Sequence, residues 1–224
     1  MGPDGDGGNG GDHDEAPAAI DVDFAGGRAA YVVVPADAGS PMRLVAHLHG
    51  LCAQPRWSCG KWRGAAVEVG LLLCPRGDGM CADGAPSWRE NDFGADLDLE
   101  RSIAATTTRF PSLQREGAIL TGFSRGAYMA VHIALRHPGR WPYLVLTEGN
   151  PVIDAASLRA GGVRAVAMVA GETGLQVDGE RQTVRALEAA GFPARLWVMP
   201  RTGHRYSPDI VPIMREAFAF VTAH

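Results

Sequence analysis

The sequence predicts an α/β protein, a mostly parallel sheet with helices on both faces, and three observations carry that prediction. Apolar runs of strand length alternate with longer helix-like runs from about residue 29 to the end of the chain. A Gly-x-Ser-x-Gly stretch, Gly122 to Gly126, joins one strand run directly to a helix run. At 224 residues, 46% of them hydrophobic, the chain can bury one sizeable core and needs no second domain.

Taken in order, residues 1–17 read as a disordered tail and 18–224 as a single domain. The first fifteen residues are rich in Gly and Asp and carry too little apolar surface to order themselves. They have neither the basic nor the apolar region of a signal peptide, but they are like the polar tether that follows an export or lipoprotein signal. A first strand is expected at 29–34, and a second at 43–48 leads into His49-Gly50. A helix follows at about 61–69, then a strand at 71–74 and a helix at 97–109. The strand at 118–121 enters the glycine-serine stretch, and the helix at 127–135 leaves it, stopped by Pro138-Gly139. Strands at 143–147, 163–170 and 194–199 come next, with an amphipathic helix opening near Asp178-Gly179-Glu180, where Asp178 reads as its N-cap. The last helix covers 210–222. Residues 149–162 are too few for an independent lid, so the cleft is expected to be open.

A serine between a buried strand and a helix sits on a tight turn, its hydroxyl exposed above the sheet, and Gly122 and Gly126 suit the close strand–helix approach there. A helix-capping serine in a Gly-rich loop is the plainer alternative. Ser124 is the candidate nucleophile. Backbone N–H groups of Leu51 or Cys52, with that of Arg125, are placed to stabilise an oxyanion. Among the seven histidines, His204 follows the last strand in a loop and is the candidate general base. His132 and His137 fall on the helix after Ser124 and read as packing or dipole partners. His49, next to Gly50, reads as a support of the oxyanion loop.

In their order along the chain, His49-Gly50, Gly122 to Gly126 and Gly203-His204 resemble the small α/β-hydrolases of the serine esterase type. The chain is similar in outline to dienelactone hydrolase, polyhydroxybutyrate depolymerase-like and carboxylesterase-like proteins over roughly 18–223. The resemblance implies an eight-stranded, mostly parallel sheet, a Ser124–His204 pair and an acyl-enzyme mechanism; the absence of a large lid comes from the shortness of 149–162. The resemblance implies no particular substrate; the short 149–162 connection favours a small-molecule or polymer-end acyl substrate over a lid-gated lipid interface, and an active serine needs no cofactor or metal. A peptidase or acyltransferase on the same scaffold, or a catalytically weak binding protein, are the alternatives.

The acid departs from the pattern such hydrolases share. After the strand at 163–170 they commonly place an Asp about three residues beyond a glycine, and here that place holds Gly174. Glu172 on the same loop and Glu148 at the end of the preceding strand are the leading candidates, with Asp178 behind them. The triad needs only a carboxylate aimed at the second imidazole nitrogen.

Net charge is −4, and basic residues are scattered, Lys61 being the only lysine. No basic stripe points to nucleic acid, and no apolar run reaches membrane-spanning length. Cys52, Cys59, Cys74 and Cys81 cluster beside the oxyanion region. The simplest pairing closes two local loops, Cys52 with Cys59 and Cys74 with Cys81. Disulfides there favour an exported protein over a cytoplasmic one. Trp57, Trp62 and Trp88 lie near the same region and are candidates for the cleft or the core.

Overall fold

The computed structural model describes residues 17–89 and 92–224. The tail reading for 1–16 therefore lies outside the described residues. A hairpin that alternation alone should have revealed opens the sheet: β1 (Ala19–Ala25) pairs antiparallel with β2 (Arg28–Val33). Ile20, Val22 and Phe24 of β1 pack on the core while Asp21 and Asp23 alternate with them, a period of two characteristic of a half-covered edge. The expected first strand was the second.

The chain continues through β3 (Met42–Leu48), the short helices α1 (Pro55–Gly60) and α2 (Arg63–Val67), and β4 (Leu71–Cys74). The single helix expected at 61–69 is thus two pieces, with Trp62 buried at the break. A two-residue hairpin, β5 (Gly79–Met80) and β6 (Pro86–Ser87), precedes α3 (Asp92–Arg109). Then come β7 (Leu113–Phe123), α4 (Arg125–Arg136), β8 (Tyr143–Thr147), α5 (Ala155–Ala160), β9 (Ala165–Gly171), α6 (Val177–Ala189), β10 (Ala194–Met199) and α7 (Ile210–Thr222).

The eight long strands form one sheet in the order β1-β2-β4-β3-β7-β8-β9-β10. Only β2 runs against its neighbours; the pairings from β4 to β10 are parallel. Strands buried on both faces split their side chains between two cores. Leu44, Ala46 and Leu48 of β3 face the layer of α3, α4, α5 and α6, while Val45 faces α1, α2 and α7. Because the parallel strands end at one edge of the sheet, the loops after β3, β7, β8, β9 and β10 collect there.

Candidate active site

The turn from β7 to α4 holds Ser124 in a left-handed conformation, φ 52° and ψ −120°. Its N–H donates to the carbonyl of Thr147 at 2.9 Å, which ties the turn to the end of β8. The two flanking glycines are required by space. A Cβ at Gly122 would sit 2.2 Å from the Gly126 carbonyl oxygen, and one at Gly126 would sit 1.9 Å from that of Leu48. Any side chain at either position would push α4 off the sheet.

The loop after β10 brings His204 to this turn, with Nε2 2.9 Å from Ser124 Oγ. On the other side of the imidazole, Nδ1 lies 3.3 Å from Oε2 of Glu148. Glu148 immediately follows β8, is itself left-handed at φ 54°, and is 1% exposed. Its other oxygen, Oε1, accepts the N–H of Gly171 at the end of β9. Burial pushes the Glu148 carboxyl up from its ordinary value, and the Gly171 N–H and His204 oppose that push. A carboxylate facing Nδ1 leaves Nε2 as the acceptor for the serine hydroxyl.

Of the three carboxylates expected to compete for His204, the structure brings one to it. Glu172 turns to the surface, where Oε2 accepts the N–H of Arg201 at 2.7 Å. Asp178 pairs with Arg181 at 2.9 Å in solvent, and it lies inside the first turn of α6 because the helix starts earlier, with Gln176 at the N-cap position. Gly174 has a spatial reason: a Cβ there would stand 3.1 Å from Glu148 Oε2.

His49 holds the loop after β3. Its Nε2 accepts the N–H of Gly77 at 3.1 Å, so Nδ1 carries the proton and donates to the Gly50 carbonyl at 2.7 Å. Trp88 stacks on the ring, centroids 4.6 Å apart, and donates from Nε1 to the His49 carbonyl at 2.7 Å. Burial lowers His49 to a pKa of about 4, which keeps it neutral. His47, between Thr121 and Ser58, is lowered to about 3 for the same reason. Leu51 and Arg125 line an open cleft of about 540 Å³ with Ser124, Tyr128 and Met129. Cys52 follows in a left-handed conformation, φ 52°. His132 sits at the rim of this cleft paired to Asp92, and His137 pairs with Asp96 at 2.8 Å. A second groove, about 690 Å³, runs between Trp57, Lys61 and the loop around His204.

The cysteines are bonded, but not in the local pairs expected. Cys52 joins Cys81 and Cys59 joins Cys74, with Cα atoms 5.6 and 6.7 Å apart. The reason is topological. Cys59 lies on α1, which crosses over the end of β4 where Cys74 sits, and the β5–β6 hairpin folds Cys81 back onto the loop after β3. Trp62 and Trp88 are core residues, and only Trp57 of the three is exposed to a groove.

Glu180 was not singled out in the sequence, yet it is fully buried beneath this site. Its signal was positional: Val177, Glu180, Val184 and Leu187 form the buried stripe of α6, and a carboxylate on an apolar stripe is out of place.

The strand order, the reversed β2 and the Ser124 turn between β7 and α4 decide the architecture. The fold is that of the α/β-hydrolases. No protein-family model matches the sequence, and no match arises among curated proteins. Solved α/β-hydrolase structures do match. Esterase PE8 superposes with a TM-score of 0.67 at 19% identity, over 90% of this chain and 100% of that one. The S-formylglutathione hydrolase FrmB of Staphylococcus aureus gives 0.65 at 13% identity, over 91% and 98%. FphF, a fluorophosphonate-binding serine hydrolase of the same organism, gives 0.64 at 15%, over 92% and 98%. At these identities the likeness is one of α/β-hydrolase fold.

Proposed function

We propose that this protein is a serine hydrolase that cleaves an ester or related acyl bond through an acyl-enzyme. The observation that carries this reading is the line of contacts Ser124 Oγ to His204 Nε2 at 2.9 Å and His204 Nδ1 to Glu148 Oε2 at 3.3 Å. In the first step Ser124 Oγ attacks the carbonyl carbon and its proton passes to His204 Nε2. Glu148 holds the Nδ1–H and faces the imidazolium that forms. The N–H groups of Leu51 or Cys52 and of Arg125 hold the oxyanion, and Arg125 is suited to this because it opens α4, where backbone N–H groups point out of the helix end. The imidazolium then protonates the leaving alkoxide, and water repeats the cycle on the acyl-enzyme.

The longest helix between β8 and β9 is α5, of six residues, which favours small or polymer-end acyl substrates over a lid-gated lipid surface. The two disulfides favour an oxidising, exported location. Among the described residues no helix is long and apolar enough to cross a membrane. A fluorophosphonate probe tests the reading directly. The wild-type protein should label and Ser124→Ala should not, whereas a folded wild-type protein that never labels would end it.

A further inference from the structure

An oxyanion donor answers to two demands that pull against each other. Its N–H must carry no bond within the protein, so that it is free for the substrate oxygen, and it must still stand at a fixed place. The loop after β3 meets the first demand. Among the described residues no hydrogen bond of good geometry engages the backbone of Leu51, Cys52 or Ala53, and Leu51 and Cys52 lie exposed. The loop nonetheless runs against the nucleophile: a Cβ at Gly50 would come within 3.4 Å of Ser124 Cβ, and Leu51 shares a cleft with Ser124. The contacts of His49 fix the loop only as far as the Gly50 carbonyl. Order returns at Gln54, whose carbonyl accepts the N–H groups of Trp57 and Ser58 as α1 begins. Between those points the one bonded link among the described residues is that from Cys52 to Cys81.

Cys81 is a firm anchor. Its N–H donates to the Ala85 carbonyl and its carbonyl accepts the N–H of Gly84, both at 2.9 Å, which closes the β5–β6 hairpin. The hairpin lies tight on its own return strand, since a Cβ at Gly77 would sit 2.2 Å from the Ser87 carbonyl oxygen and one at Gly79 2.9 Å from the Trp88 carbonyl carbon. Gly77 and Trp88 are also the residues that hold His49. The segment 77–88 therefore grips the loop twice, by hydrogen bonds before Gly50 and by a covalent bond at Cys52. The second disulfide is placed differently. Cys59 and Cys74 are 0% and 1% exposed and join α1 to β4 in the core, whereas Cys52 is exposed and Cys81 half-buried.

We propose that the Cys52–Cys81 disulfide is the positioning element of the oxyanion loop, that Cys59–Cys74 serves stability alone, and that a small dithiol therefore lowers turnover before it unfolds the protein. The proposal rests on the reading of Ser124 as the nucleophile and of the Leu51 or Cys52 N–H as an oxyanion donor. One thiolate of the dithiol attacks the exposed Cys52 sulfur, forming a mixed disulfide and releasing Cys81, which takes up a proton. The second thiolate of the reagent then displaces Cys52. The reagent leaves as a cyclic disulfide, two electrons and two protons pass to the protein, and both cysteines end as thiols. Released at Cys52, residues 51–53 regain backbone freedom, and their N–H groups are no longer held where the charge develops.

The test compares the wild type, Cys52→Ala/Cys81→Ala and Cys59→Ala/Cys74→Ala on a short-chain activated ester, well below all three melting temperatures. The first variant keeps every backbone N–H. Its kcat should fall by about tenfold to a hundredfold with KM nearly unchanged, and its affinity for a trifluoromethyl ketone, which forms a tetrahedral adduct, should fall by a similar factor. The second variant should melt lower and keep the wild-type kcat. If the second does not fold, a dithiol titration of the wild type decides. There kcat should fall in step with alkylation of Cys52 and Cys81 while Cys59 and Cys74 stay bonded and the circular dichroism holds, and Cys52→Ala/Cys81→Ala should not respond. Wild-type kcat in Cys52→Ala/Cys81→Ala, or a loss of kcat only once Cys59 and Cys74 are alkylated, overturns the proposal. A wild type that a fluorophosphonate never labels overturns the serine reading and this proposal with it, whereas a labelled wild type beside an unimpaired Cys52→Ala/Cys81→Ala variant overturns the role of the disulfide alone.

Discussion

Gly174 stands where a side chain would press on Glu148: a Cβ added there comes within 3.1 Å of Oε2. The glycine at the place expected for an acid is therefore the space into which the carboxylate of Glu148, from the neighbouring strand, fits. Gly174→Val should lower kcat on a short-chain ester by more than tenfold with little change in KM, and Gly174→Ala by a few-fold, because only the acid is displaced. Equal kcat in all three proteins would show that Oε2 has room to spare.

On the proposed mechanism, removing the hydroxyl of Ser124 removes the attacking atom. Ser124→Ala should reduce turnover by about 10³-fold or more. His204→Ala should do the same, and the double variant should lose little beyond either single one, since the two groups act as a unit. Purified, folded variants assayed side by side check this, and additive losses would separate the two residues.

The two glutamates that competed in the sequence part company in the structure. On the proposed mechanism Glu148→Gln should cut turnover by about 10²- to 10⁴-fold, because the imidazole would lose both its orientation and its counter-charge. Glu172→Gln should be nearly neutral, since its carboxylate caps the exposed N–H of Arg201. The reverse result would move the acid back to the loop after β9.

Much of the fold was legible because parallel strands buried on both faces are continuous apolar runs, as at Leu71–Cys74 and Tyr143–Thr147. β1 escaped because its aspartates alternate with Ile20, Val22 and Phe24, which dilutes the apolar signal without weakening the buried face. Ser124 and His204 stood out through local context, a turn between strand and helix and a loop after the last long strand. The carboxylate that lies beside His204 did not, because choosing between Glu148 and Glu172 needs the distance from two adjacent strand ends to one imidazole. The cysteine pairing failed for a related reason: contour separation favoured Cys52 with Cys59, but α1 and the β5–β6 hairpin fold each partner elsewhere.

Each disulfide closes a loop of moderate length, with sequence separations of 29 and 15. In the chain-entropy picture each stabilises by roughly 3 kcal/mol. Non-reducing peptide mapping should recover Cys52 linked to Cys81 and Cys59 linked to Cys74, and reductant should lower the melting temperature by several degrees. Peptides joining Cys52 to Cys59 would refute the pairing described above.

His47 and His49 set the acid side of stability. Both are held neutral when folded, with pKa values of about 3 and 4 against 6.5 for the unfolded chain. Between those values the unfolded chain binds protons that the native state refuses, so stability is lost as pH falls from about 6.5 toward 4. Melting temperature should drop over that window, and His47→Gln should flatten the drop at the cost of lower stability at neutral pH. A drop as steep in the variant as in the wild type would assign it to other groups.

Ser124 and Glu148 sit at the ends of β7 and β8, joined by the hydrogen bond from Ser124 N–H to the Thr147 carbonyl, while Trp57 and Lys61 belong to a separate segment around α1. The Ser124 hydroxyl and the Glu148 carboxylate are thus registered by the sheet, whereas the His204 imidazole arrives on the loop after β10, the same loop that walls the groove opposite Trp57 and Lys61. Rebuilding the α1 side of that groove would leave the strand ends that carry Ser124 and Glu148 in place, whereas rebuilding its 200–210 side would carry His204 along with it.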